Sequence, residues 1–163
     1  MSLSSLSLRV SLVQTDLVWD SPISNCGQLE EQLTHLIGKT DLIILPEMFT
    51  TGFSMSALHA EIPQGPSTQW MIMQAKRIHA VILGSLKIKD KKGLVNRLVV
   101  AFPDGSIQTY DKKHLFRMGL EHESYSRALK NWCFPIKIGV SPLLFVMIYV
   151  FLFGLEMLIW DMI

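Results

Sequence analysis

Residues 41–47 read "DLIILPE", an unbroken apolar run opened by Asp41, stopped by Pro46 and followed at once by Glu47. A short run with apolar side chains in both alternating positions is the pattern of a strand buried on both faces. Working outward, the stretch "LRVSLVQ" at 8–14 alternates apolar and polar residues, which predicts a half-buried strand with Leu8, Val10 and Leu12 on one face. Between the two, Ser24 or Asn25 can cap a helix whose Leu29, Leu33, Leu36 and Ile37 recur at helical spacing until Gly38 ends it. On the other side a loop rich in Gly, Ser and Thr leads to Ser67 or Thr68, which can cap a second helix running to about Ile78 with Met71, Ala75 and Ile78 on one side. Then come "AVILGSLKI" (80–88) and "NRLVVAF" (96–102), two strands joined around "KDKKG", and "PDGS" turning into "IQTYDKK" (107–113). Strand, helix, strand, helix and a run of strands specify an α/β layered fold.

The totals fit one such domain. The chain has 163 residues, 49% of them hydrophobic, enough for a single core and short for two. Its 15 basic and 14 acidic residues nearly cancel without a long single-sign block, so nothing directs the chain toward nucleic acid and small neutral partners stay open. Cys26 and Cys133 stand far apart with no metal-ligand spacing, which fits a reduced, cytosolic compartment. The opening "MSLSSLSLRV" has no basic segment ahead of an apolar block, so no secretion signal is expected.

Several residues could carry chemistry. Glu47 follows a buried strand, and strand ends in open α/β sheets are where catalytic groups gather. A loop carboxylate or a helix cap is the alternative. Lys112 and Lys113 in "YDKKHLF" read, alone, as a solvated pair, and His114 as a packed, hydrogen-bonded side chain. "EHE" at 121–123 could suggest a metal, but two carboxylates flanking a histidine at consecutive positions cannot share a helix face. No metal and no cofactor is expected.

Taken together, "LPEMFTTGF", "YDKKHLF" some sixty residues later and "EHESY", in this order of strands and helices, resemble the nitrilase superfamily of carbon-nitrogen hydrolases, and most of all its ω-amidase branch. The resemblance runs from about Leu8 to Arg127. It implies an incomplete α-β-β-α sandwich over residues 1–130, lacking its C-terminal strands and helices, and a small amide as substrate. Members of the family form homo-oligomers. It also implies Glu47 as the general base that takes a thiol proton, Lys112 as the cation that stabilises the oxyanion, and Glu121 as a second glutamate orienting Lys112 and the attacking water. A free thiol is mostly protonated at neutral pH, so a nucleophilic cysteine needs such a base and a positive neighbour.

The nucleophile itself is missing. The family carries it in a motif like Cys-Tyr-Asp-Leu-Arg-Phe-Pro, whereas Cys133 in "NWCFPIK" follows Lys112 too closely and Cys26 lies at the start of the first helix. The uncharged stretch "FVMIYVFLFG" at 145–154 supplies the explanation: read from the third base of each codon, it can spell Cys-Tyr-Asp-Leu-Arg-Phe-Pro-Val-Trp. A reading-frame shift between Arg127 and Cys133 is therefore expected, with 131–163 an out-of-frame apolar tail rather than a domain. The alternative is a membrane-tethered, non-catalytic binding module inserted through residues 138–155, a span shortened by Gly139 and Pro142. A remnant of the fold would leave a sheet edge and an apolar face uncovered and would aggregate.

Overall fold

The computed structural model describes residues 7–128. The expectations for Cys133, for the shifted frame and for the apolar segment 138–155 fall outside them. Five strands form one mixed sheet in the order β1 (Val10–Leu12), β2 (Leu42–Ile44), β3 (Val81–Asp90), β4 (Gly93–Ala101) and β5 (Ile107–Asp111). The first three pair in parallel and the last three antiparallel, as the connections require. Each parallel step is bridged by a helix, α1 (Pro22–Thr34) or α2 (Pro66–Ile78), and each antiparallel step by a tight turn. At the β3–β4 turn, Gly93 takes a φ of +107°, which a side chain would resist.

Both helices begin earlier than capping side chains in the sequence indicate. Pro22 and Pro66 each stand at the start of a helix, where a fixed φ and a missing N–H are no handicap. The side chains expected to cap are used elsewhere. Asn25 is buried inside α1 and bonds a neighbouring loop, while Ser67 directs both its backbone N–H and its hydroxyl to the carboxylate of Glu61. Helix α1 also stops short, at Thr34, and Ile37 lies 46% exposed beyond it instead of on the core face.

The two helices pack on one face of the sheet. Leu29 and Leu33 of α1 meet Met71, Ala75 and Ile78 of α2 over Ile43, Ile82 and Val99 of the strands. Gly84 of β3 faces this layer, and an added Cβ there would stand 2.9 Å from Phe49 Cδ1 and 3.2 Å from Leu45 Cβ. Gly84→Ala is therefore expected to lower stability by about 1–3 kcal/mol through overpacking, as measured by a shift in urea midpoint. An unchanged midpoint would mean that Phe49 can move aside.

The opposite face has a different character from one end to the other. Side chains alternate across a strand, so Val81, Leu83, Ser85 and Lys87 of β3 share this face with Asn96, Leu98 and Val100 of β4. Leu42, Val81, Leu83, Leu98 and Val100 form an apolar cluster at one end, and Ser85, Lys87 and Asn96 make the other end polar yet buried. At the sheet edge the face opens: Val10 is 47% and Leu12 is 68% exposed, contrary to the half-buried face expected of them, β1 being the edge strand with a neighbour on one side alone among the described residues.

Candidate active site

The polar end of that face brings together the three residues expected to carry chemistry. Glu47 arrives from the end of β2. Leu45 still pairs with β3 through its N–H to the Leu83 carbonyl at 2.8 Å, and Met48 then takes a φ of +47°, an uncommon value for a side-chain-bearing residue. The N–H groups of Thr51 and Gly52 close back on the Met48 carbonyl at 2.9 and 2.8 Å, which winds the chain into a tight turn directly after Glu47. Ser85 Oγ accepts the Met48 N–H at 2.9 Å.

Two further devices hold this turn. The Asn25 amide donates to the carbonyls of Thr50 and Val18, both at 2.8 Å, while its oxygen accepts the Val18 N–H. Asp20 accepts from Ser54 Oγ at 3.0 Å and from Lys87 Nζ at 3.1 Å, and the Lys87 ammonium also reaches the Leu58 carbonyl at 3.0 Å. The Lys87 side chain is fully buried, so its charge is tolerable only because the carboxylate and the carbonyl surround it. Tyr125 completes the clamp by donating to the Ser54 carbonyl at 2.7 Å. Burial, together with the negative charges of Glu121, Asp20 and Glu47, pushes the Tyr125 phenol above its ordinary range, so it remains a donor.

Lys112 follows β5 and is seated by its backbone N–H on the Asn96 carbonyl at 2.8 Å. Its ammonium lies 2.8 Å from Glu47 Oε1 and 2.9 Å from Glu121 Oε2, with the Phe53 ring centroid 5.2 Å away. The lysine side chain is 2% exposed, that of Glu121 is fully buried, and that of Glu47 is 25% exposed, so the cluster opens on the Glu47 side. Glu121 begins the short helix α3 (Glu121–Ser124), and its carboxylate reaches back to the Phe116 N–H at 2.6 Å, closing the intervening loop. Asn96 Nδ2 donates to Glu47 Oε1 at 2.7 Å and to Glu121 Oε1 at 3.1 Å.

Chemically, the cluster is a partly open carboxylate held against a buried ammonium. Among the described residues two of the three ammonium N–H groups face carboxylates, leaving one to meet a developing negative charge in a site of low dielectric. Glu47, Lys112 and Glu121 were all singled out from the sequence. Asn96 was not, although a polar residue on the same strand face as Leu98 and Val100 is the signal that marks it. His122 and Glu123 are exposed, and among the described residues no group of three His, Cys, Asp or Glu could hold a metal.

Cys26 lies apart, on α1, packed against the helical core. Burial first, then the negative charges of Glu61 and Glu30, push its thiol up to about 11 from an ordinary 9.0. Such a thiol is protonated at neutral pH and a poor nucleophile. Because its folded value is the raised one, the folded chain keeps a proton that the unfolded chain gives up above pH 9. Stability should therefore fall as pH rises from 9 to 11, and the decline in urea midpoint should flatten in Cys26→Ser. Equal slopes for the two proteins would contradict the burial of this thiol.

Residues 9–141 match the family model described as carbon-nitrogen hydrolase. The omega-amidase YafV of Escherichia coli (strain K12) is 38% identical over 129 residues, which are 77% of this chain and 50% of the relative. The 2-oxoglutaramate amidase of Bacillus subtilis (strain 168) is 29% identical over 132 residues, 78% of this chain and 51% of the relative. The chain thus spans about half the length of the curated relatives it matches. Among solved structures, XC1258 from Xanthomonas campestris, a CN-hydrolase superfamily protein with an arsenic adduct in the active site, superposes with a TM-score of 0.75 at 44% identity, covering 78% of this chain and 48% of that one. Saccharomyces cerevisiae Nit3, at 23% identity and a TM-score of 0.62, shares the fold, covering 83% of this chain and 54% of its own.

Proposed function

The chain belongs to the carbon-nitrogen hydrolase family, and from that premise we propose that it carries the base and the cation of an ω-amidase-type amide hydrolase without the thiol they serve. The observation that carries this reading is the buried Lys112 ammonium, 2.8 Å from the partly open Glu47 carboxylate and 2.9 Å from Glu121. In an intact enzyme of this kind Glu47 takes the proton of the cysteine thiol. The thiolate then forms a C–S bond to the amide carbon, and the carbonyl π electrons move to oxygen, where the free Lys112 N–H meets them. As the oxyanion collapses and the C–N bond breaks, Glu47 gives its proton to the nitrogen, which leaves as ammonia; it then draws one from the water that cleaves the thioester and passes it to the departing thiolate, releasing the acid. Glu121 keeps Lys112 turned toward the oxyanion.

The similarity to a 2-oxoglutaramate amidase supports, as substrate, the terminal amide of a small 2-oxo dicarboxylic acid monoamide. Two cysteines without disulfide or metal-ligand spacing support a cytoplasmic setting. Among the described residues no helix is long and apolar enough to cross a membrane. The segment that would have to do so, 138–155, contains the stretch 145–154 that a shifted codon phase can spell as the cysteine motif. On that spelling we take 131–163 as an out-of-frame tail following a hydrolase segment over 1–130, with the family match running on to residue 141.

The test is direct. The purified 163-residue chain is expected to release no ammonia from 2-oxoglutaramate above the uncatalysed rate. Turnover abolished by Glu47→Ala would overturn the claim that the nucleophile is absent.

A further inference from the structure

The amide of Asn96 has two N–H bonds and spends them on two different carboxylates, 2.7 Å from Glu47 Oε1 and 3.1 Å from Glu121 Oε1. Lys112 touches the same two carboxylates from the other side, at Glu47 Oε1 and Glu121 Oε2. The four side chains close a ring in which a cation and a neutral amide alternate with two anions. We infer that Asn96 is a positioning residue, setting the separation of Glu47 and Glu121 so that both face one ammonium. This role rests on the reading of Glu47 and Lys112 as base and cation.

Three features favour a positioning role over ordinary core polarity. Two like charges at close range repel, and one ammonium between them leaves the cluster with an excess negative charge. A neutral donor to both relieves that repulsion without competing with Lys112 for charge, which neither a second lysine nor an aspartate at position 96 could do. The carbonyl of the same residue receives the Lys112 N–H at 2.8 Å, so one position in β4 sets the backbone of the cation and the side chains of both anions. The third feature is an asymmetry. Asn96 is fully buried, yet its Oδ1 has no hydrogen-bond partner among the described residues. A polar side chain kept only for stability is normally satisfied at both ends. Here the amide nitrogen is committed to the carboxylates while the oxygen goes without.

The test reads the Asn96 side-chain amide in the full chain by proton-detected 15N NMR under magic-angle spinning, which handles sedimented as well as dissolved protein. Both Nδ2 protons are expected downfield and slow to exchange with water. Glu47→Ala should move one of them upfield, as the loss of a charge-assisted bond requires, and Glu121→Gln should move the other. In Asn96→Ala, exchange of the Lys112 ammonium protons with water should accelerate at least about tenfold, the equivalent of a bond weakened by about 1.4 kcal/mol, while backbone amides of β3 and β4 keep their protection. If Asn96→Ala does not fold, the two glutamate variants decide the matter. Protons that respond together, to one variant only or to neither, or ammonium exchange that rises only in step with backbone exchange, would overturn the assignment. A catalytic reading that failed would show itself separately, as a cysteine-bearing enzyme indifferent to Glu47→Gln with this amide pattern intact.

Discussion

Lys112→Met is expected to destabilise the chain by about 3–5 kcal/mol, the range seen when one partner of a buried ion pair is removed. The reason lies in what remains. Glu121 is fully buried and Glu47 is three-quarters covered, so both carboxylates lose the ammonium held against them, and water cannot replace it at Glu121. Methionine fills nearly the same volume, so cavity formation adds little. The loss should appear as a lower urea midpoint at unchanged slope. Adding Glu121→Gln should recover part of it, because the neutral amide no longer needs the cation. A shift below about 1 kcal/mol, the range of surface ion pairs, would mean that solvent reaches the cluster.

The second large effect concerns the codon phase. A gene shifted by one base between codons 127 and 133 should encode the cysteine segment spelled across residues 145–154, and its product is expected to hydrolyse 2-oxoglutaramate, with no turnover expected of the present chain. Within that product Glu47→Gln should lower kcat by roughly 10²–10⁴-fold, the usual contribution of a positioned general base. The effect should fall on kcat more than on KM, because the proton moves only once the substrate is bound. The nucleotide sequence decides first: if its third-base reading does not spell Cys-Tyr-Asp across Phe145 to Ile148, the proposal fails before any assay.

These outcomes bear on how the site is built. Glu47 reaches Lys112 across 65 positions of chain only because β2, β3, β4 and β5 lie side by side. The turn after Glu47 is fixed by Asn25, Asp20, Ser85 and Tyr125, which come from three other parts of the chain. A carboxylate held by that many independent bonds keeps its place whether or not a nucleophile is present.

The order of elements, the buried strand at 42–44 and the turns at Gly93 and Gly105 were legible in the chain itself, because periods of 2 and 3.6 and the needs of tight turns are local properties. Glu47, Lys112 and Glu121 were legible as a motif. Local patterns could not show that Ser24, Asn25, Ser67 and Thr68 would leave both helix starts to proline. Nor could they show that Val10 and Leu12 would face outward, or that Asn96 would span two carboxylates. Those outcomes depend on which face of the sheet the helices cover and on the register of β4 against β3 and β5. Both are set by contacts between residues far apart in sequence, and a buried charge is stabilised only by the neighbours that such contacts bring to it.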